Sequence, residues 1–136
     1  MDLDKARAIM ADKHRAVLAT RRGDGSIQMS PVTVTLDAEG RPIISSRQTA
    51  YKVKNLRRDP WMSLCVFSDG FFGEWLQVDG TATIVDLPEA MELLVDYYRR
   101  ASGEHPDWDD YRAAMVRDQR VLIRLTITQA GPDRHG

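Results

Sequence analysis

Ser45-Ser46-Arg47-Gln48-Thr49-Ala50-Tyr51-Lys52-Val53-Lys54-Asn55-Leu56-Arg57-Arg58-Asp59-Pro60 is where one kind of backbone gives way to another. Two serines and an arginine close the apolar β-type run 42–46. A lysine-rich helical segment follows over residues 51–59, with Val53 and Leu56 inward and its cations outward. Pro60 stops it, because proline cannot continue a helix and disfavours helical backbone in the residue before it. From Arg41 to Pro60 there are six Lys/Arg and one acid, in a chain whose formal net charge is −1. Positive charge concentrated where a strand hands over to a helix suits an anionic ligand. Helix N-terminal amides and cationic side chains hold phosphate oxygens together. Of its cations Lys52 has the best functional reading, because its ammonium can lean back toward Ser45 and Ser46.

Outward from this stretch the patterning is mostly β. Residues 15–20 read as a strand, turned back by Gly23-Asp24-Gly25 into a second strand over 27–35. Alternation puts Gln28, Ser30, Val32 and Val34 on one face of that strand, and Ile27, Met29, Pro31, Thr33 and Thr35 on the other. Pro31 lacks a ladder donor, so this strand belongs at a sheet edge or bulges. Further strands are expected over 42–46, 61–67, 74–85 and 121–128. Gly80 marks a bulge or bend in the long one. Helices are expected over 3–13, over 107–117, and from Asp86 to about residue 100. Asp86-Leu87-Pro88-Glu89 carries the signs of a capped helix start. Tyr97 and Tyr98 are read as helix-to-barrel contacts, Trp61 and Phe67 as core. Residues 1–130 are expected to form one mainly β domain, a small barrel with peripheral helices, and 131–136 a loose tail.

With 136 residues the chain can bury a substantial core. Its near-neutral charge argues against nucleic-acid binding. The lone Cys65 has no internal disulfide partner and reads as a buried core residue. His14, His105 and His135 are scattered without metal-ligand spacing, so no metal is expected. No apolar run reaches membrane-spanning length and residues 1–4 do not resemble a signal peptide. The expectation is a cytoplasmic protein without membrane contact. Asp109 and Asp110 read as a solvated helix face, Arg57 and Arg58 as solvated surface, with Arg58 and Asp59 as a local ion pair. No nucleophile elbow, phosphate loop or Gly-x-Gly-x-x-Gly occurs. An enzyme of this sequence needs a bound cofactor for the hard chemistry.

Four segments, in order, carry a family resemblance: Ala16-Val17-Leu18-Ala19-Thr20 with Gly23-Asp24-Gly25, Gln28-Met29-Ser30-Pro31-Val32, the run from Lys52 to Pro60, and Val78-Asp79-Gly80-Thr81-Ala82. The chain resembles the pyridoxamine 5'-phosphate oxidase-like group of the FMN-binding split β-barrel superfamily, and most of all its members that use the deazaflavin coenzyme F420. The resemblance implies a homodimer with the cofactor in a groove between subunits. It implies that Gln28, Met29, Ser30, Pro31 and Val32 flank the ring, and that Ser45, Ser46, Arg47, Lys52 and Asn55 hold the phosphate. It also implies that Trp75 and Gln77 of the partner subunit cover the ring.

FMN oxidases of that superfamily typically carry arginine and lysine about the second strand and a compact Ser-Arg-Lys motif. Here Gln28 and Ser30 stand in that strand and Lys52 is five residues beyond Arg47, which favours the deazaflavin branch. Ala50 departs from that branch in turn, standing where deazaflavin relatives often carry a base, a charge that Arg47 can take over. The expected function is F420H2-dependent reduction of a small-molecule electron acceptor, a conjugated or planar quinone, enone or tetrapyrrole such as biliverdin. The alternatives are an FMN-dependent oxidoreductase or a non-catalytic cofactor-binding protein. No catalytic side chain is identified, and Tyr51, Arg47 and water remain open as proton donors. Phe71 and Phe72 are read as interface or pocket residues.

Overall fold

The computed structural model describes residues 1–70 and 72–133. Its elements are α1 (Leu3–Met10), β1 (Arg15–Arg21), β2 (Ile27–Thr33), β3 (Thr35–Leu36), β4 (Pro42–Arg47), α2 (Tyr51–Arg58), β5 (Trp61–Phe67), β6 (Trp75–Val85), α3 (Met91–Ser102), α4 (Trp108–Arg117) and β7 (Arg120–Gly131). The seven strands form one antiparallel sheet in the order β2-β1-β5-β6-β7-β4-β3. Its two edge strands, β2 and β3, are neighbours in sequence, separated by Val34 alone. A sheet whose opposite edges share one stretch of chain must curl, so the fold is a split β-barrel with peripheral helices, as expected.

The strand expected over 27–35 is therefore two. Its first part pairs with β1 and its second with β4, and between them the Val34 amide donates to the His14 carbonyl at 2.9 Å. Pro31 sits opposite Val17 in an edge strand, where a missing donor costs little. Gly80 is a bulge: the register between β6 and β7 shifts at Asp79/Gly80. A Cβ there would lie 1.9 Å from the Thr126 carbonyl oxygen, so the two backbones approach as closely as they do only because residue 80 has no side chain.

The concave face holds the main core. Ala16, Leu18, Leu64, Val66, Leu76, Val78, Ile123 and Leu125 meet Ala6 and Met10 of α1 and Val53 and Leu56 of α2. A second core lies on the convex face at the β4–β7 end, where α3 and α4 cover Ile43 and Leu122 through Leu94, Val95, Tyr111 and Met115. The Tyr111 hydroxyl donates to the Leu94 carbonyl at 2.7 Å, and burial pushes its pKa up to about 12.

Several expectations are corrected. Trp61, Cys65 and Phe67 alternate with the core residues Met62, Leu64 and Val66, so they stand half-buried on the convex face, with Arg21 stacked over Trp61 at 4.4 Å. Asp86 does not cap α3, which begins at Met91; its carboxylate takes both nitrogens of Arg57, at 2.5 and 3.2 Å. Arg57 is thus a bridging residue rather than a free surface cation. Asp59 pairs with Arg21 rather than Arg58, which donates to the Arg21 carbonyl. Helix α1 ends at Met10, and Tyr98 packs edge-on to Trp108 and Tyr111 of α4, within the cluster that covers Ile43 and Leu122. Strand β7 runs on to Gly131, and Asp133 pairs with the amino group of Met1. Phe71 and residues 134–136, His135 among them, lie outside the described residues. No described helix is long and apolar enough to cross a membrane.

Candidate functional site

Cross-strand register decides which candidate residues share a face. On β4, Ile44 and Ser46 point into the main core, whereas Ile43, Ser45 and Arg47 point to the convex face. Ser46 is 2% exposed and its hydroxyl contacts the Arg47 carbonyl at 3.3 Å, so it is separated from the other predicted anion ligands. Ser45 and Arg47 instead share their face with Arg120, which stands directly opposite Arg47 in the β4–β7 pairing.

Like charges directly opposed across antiparallel strands repel. Here a third cation joins them: Lys52, in the first turn of α2, lies within electrostatic reach of Arg120. Burial, and after it the Arg120 charge, hold the Lys52 ammonium below the ordinary lysine range. Ala50, at the N-cap of α2, supplies no side-chain cap, so the first amides of the helix also lack that partner. Arg47 and Lys52 are candidates read from the sequence; Arg120 is not, because it lies about seventy residues downstream, at the start of a strand whose sequence carries no anion motif, and only the register brings it beside Arg47.

The second group of candidates gathers at the other side of α2. Asn55 is buried, and its Nδ2 donates to Gln28 Oε1 at 2.9 Å and to Thr20 Oγ1 at 3.1 Å. Gln28 and Asn55 line a cavity of about 380 Å³ with Arg22, Gly23 and Tyr51. The predicted ring-flanking residues of β2 divide by face. Gln28, Ser30 and Val32 share the concave side with Thr20, Leu18 and Ala16, whereas Met29 and Pro31 are exposed on the convex side. As an edge strand β2 is paired by the sheet on one side only, and side chains take two of its carbonyls: Thr33 accepts from the Tyr97 hydroxyl at 2.8 Å and Ile27 from Arg22 at 3.0 Å.

Trp75 and Gln77 stand apart from both groups. Gln77 pairs with Gly131 across the β6–β7 ladder, and Gly131 is the opposite end of β7 from Arg120. Eleven residues of strand separate the two, roughly 35 Å along the chain at 3.3 Å per residue. Gln77 Nε2 donates to Ser63 Oγ and to Asp79 Oδ1, both at 3.0 Å, and Ser63 Oγ donates to Asp79 Oδ1. Trp75 is 42% exposed and borders an apolar cavity of about 400 Å³ with Arg15, Cys65, Phe67, Ser68 and Asp69. Burial raises the Cys65 thiol pKa, which keeps it protonated and weakly nucleophilic. Among the described residues no group of His, Cys, Asp or Glu is placed to hold a metal ion.

The family model described as pyridoxamine 5'-phosphate oxidase matches residues 3–132 of this chain. Among solved structures, the chain is similar to the conserved hypothetical protein Rv2991 from Mycobacterium tuberculosis, at 22% identity and a TM-score of 0.78 over 96% of this chain and 82% of that one. It is also similar to an F420 reductase, at 21% identity and 0.72 over 92% and 94%. A heme binding protein from Mycobacterium smegmatis follows at 19% identity and 0.70, with 97% of this chain and 55% of that one covered. Likenesses this distant in sequence establish a common fold.

Proposed function

The chain belongs to the pyridoxamine 5'-phosphate oxidase family, whose members bind flavins, and from that premise we propose that it is an F420H2-dependent reductase. Its acceptor is a conjugated, planar organic molecule of the quinone, enone or tetrapyrrole class. The observation that carries the reading is the gathering of Arg47, Lys52 and Arg120 at one corner. No carboxylate is paired with any of the three among the described residues. An anionic cofactor phosphate fits that donor set: it would relieve the repulsion and accept from both the ammonium and the guanidinium groups. The fold likeness to an F420 reductase, and Gln28 in place of a cation on β2, favour deazaflavin over FMN.

The bound deazaflavin supplies the hydride, from a carbon centre that reacts poorly with oxygen. The chain's own residues bind and orient. Lys52 and Arg47 anchor the phosphate. Asn55 occupies the Gln28 carbonyl and so leaves the Gln28 amide NH2 as a donor toward the adjoining cavity. The β2 edge presents backbone groups to the ring. Trp75 and Gln77 stand toward the end of β7 remote from Arg120, and a homodimer in which the partner contributes them would bring both groups to one ligand. The remainder of the convex face agrees: among the described residues no helix covers Val17, Met29, Cys65, Phe67 or Trp75.

FMN is the second reading, because the same cations suit its phosphate and the family binds flavins. Titration of the purified protein with F420 and with FMN separates the two. Tighter binding of F420, followed by loss of F420H2 absorbance with a quinone, enone or tetrapyrrole acceptor, is the expected result. Preference for FMN overturns the first reading, and F420 binding without turnover of any acceptor leaves a cofactor-binding protein.

A further inference from the structure

We propose that Arg120 is a ligand-binding residue, the third cation of a seat in which Arg47, Lys52 and Arg120 together hold a phosphate group. The inference rests on the anionic-cofactor reading above and adds to it a residue some seventy positions away from the motif that suggested the site.

Arg120 is held in a costly state. Its Nε is buried and has no hydrogen-bond partner among the described residues. A buried charged donor left unpaired is strongly unfavourable, and most arginines of this protein avoid that cost by finding a carboxylate. Arg21 pairs with Asp59, Arg57 with Asp86 and Arg112 with Glu92. Arg120 instead faces Arg47 across the ladder and lies within electrostatic reach of Lys52, two charges of its own sign. The backbone that delivers it is constrained as well. Gln119, immediately before it, has φ +51, a conformation disfavoured for a residue with a side chain, and its carbonyl is fixed by the Gln48 amide at 2.9 Å.

Groups kept unpaired and strained in a folded protein are typical of binding sites, where the ligand supplies the missing partner. Arg120 also borders a cavity of about 410 Å³ with Gln48, Gln119 and the Arg57–Asp86 pair, on a side that Arg47 and Lys52 do not line, so a solvent species reaches the residue there. Phosphate is the ligand class that satisfies the geometry. It offers several acceptor oxygens to a planar fork and an ammonium at once, and a dianion offsets more than one cation.

Phosphate binding can be measured without any deazaflavin. The test compares the full chain with Arg120→Gln and Arg120→Lys, by equilibrium dialysis and thermal unfolding in inorganic phosphate and in chloride of equal ionic strength. Phosphate is expected to raise the Tm of the native protein, and Arg120→Gln to bind it at least about tenfold more weakly. In chloride, Arg120→Gln is expected to unfold at the same temperature as the native protein or higher, since a buried unpaired donor and a repelling cation have been removed. Arg120→Lys keeps the charge without the fork, should bind phosphate with intermediate affinity, and carries the test if the glutamine variant does not fold. Native affinity in the variants, or a native Tm indifferent to phosphate, overturns the proposal. So does a lowered Tm in chloride with an unchanged phosphate shift, which would make Arg120 a structural residue. Failure of F420H2 oxidation with the phosphate effect intact sinks the reductase and leaves the seat standing.

Discussion

Lys52 is the residue on which sequence and geometry agree most closely, and its protonation gives a test that ordinary surface lysines cannot pass. Its pKa in the fold lies below the ordinary 10.5, first through burial and then through Arg120. A base with a lowered folded value is penalised while charged. In the empty protein that penalty is present at neutral pH, and it is relieved as pH rises through the lowered value toward 10.5. A bound phosphate favours the ammonium and reverses the shift, so binding takes up protons in this alkaline window and affinity falls as pH climbs through it. Lys52→Ala should weaken cofactor binding by about 1–3 kcal/mol at neutral pH. Lys52→Arg should retain binding and flatten the alkaline fall, because a guanidinium does not titrate there. Fluorescence titration across that range reads both. Unchanged affinity in the alanine variant removes Lys52 from the site. Ser46→Ala should leave affinity as it is, since that hydroxyl points into the core.

Strand β6 shows how one glycine governs an element. Gln77, Val78 and Asp79 pair with Gly131, Ala130 and Gln129 before the bulge; Thr81, Thr83 and Val85 pair with Thr126, Arg124 and Leu122 after it. Gly80→Ala would push a methyl group onto the Thr126 backbone, which has no flexible side chain to yield, and should cost about 2–4 kcal/mol in chemical denaturation. An unchanged midpoint would mean that the ladder tolerates the methyl by shifting register. Elements of this kind were readable from the chain: a glycine inside a strand pattern, a proline at an edge, and a helix closed by Pro60 all have local causes. Non-local pairing was not readable. Whether residues 27–35 are one strand or two depends on β1 and β4 claiming different parts of it, and whether Asp86 caps α3 depends on Arg57 claiming its carboxylate. The candidate site divides in the same way. Lys52 and Asn55 follow from their place on α2, whereas the separation of Ser46 from Ser45 and the arrival of Arg120 follow from the β4–β7 register.

At the scale of the whole molecule, the two groups of candidate residues stand apart. The cations of the anion seat and the pair Trp75 and Gln77 occupy opposite ends of β7, on a sheet whose convex face is covered by α3 and α4 at one end only. If one cofactor touches both groups, the two groups belong to different copies of the chain, and each active site is shared. That arrangement makes a prediction about mixtures of variants. Lys52→Ala damages the phosphate end of every site in its own homodimer, and Trp75→Ala damages the ring end of every site in its own. When the two are unfolded together, mixed and refolded, half of the dimers are hybrids. Each hybrid has one site carrying both substitutions and one carrying neither. F420H2 oxidation should therefore return to about a quarter of the native rate, although each parent alone is impaired. Were both groups drawn from a single chain, every site in the mixture would keep one substitution and mixing would restore nothing. The native mass by light scattering belongs with the experiment, since a monomer that oxidises F420H2 would exclude a shared site.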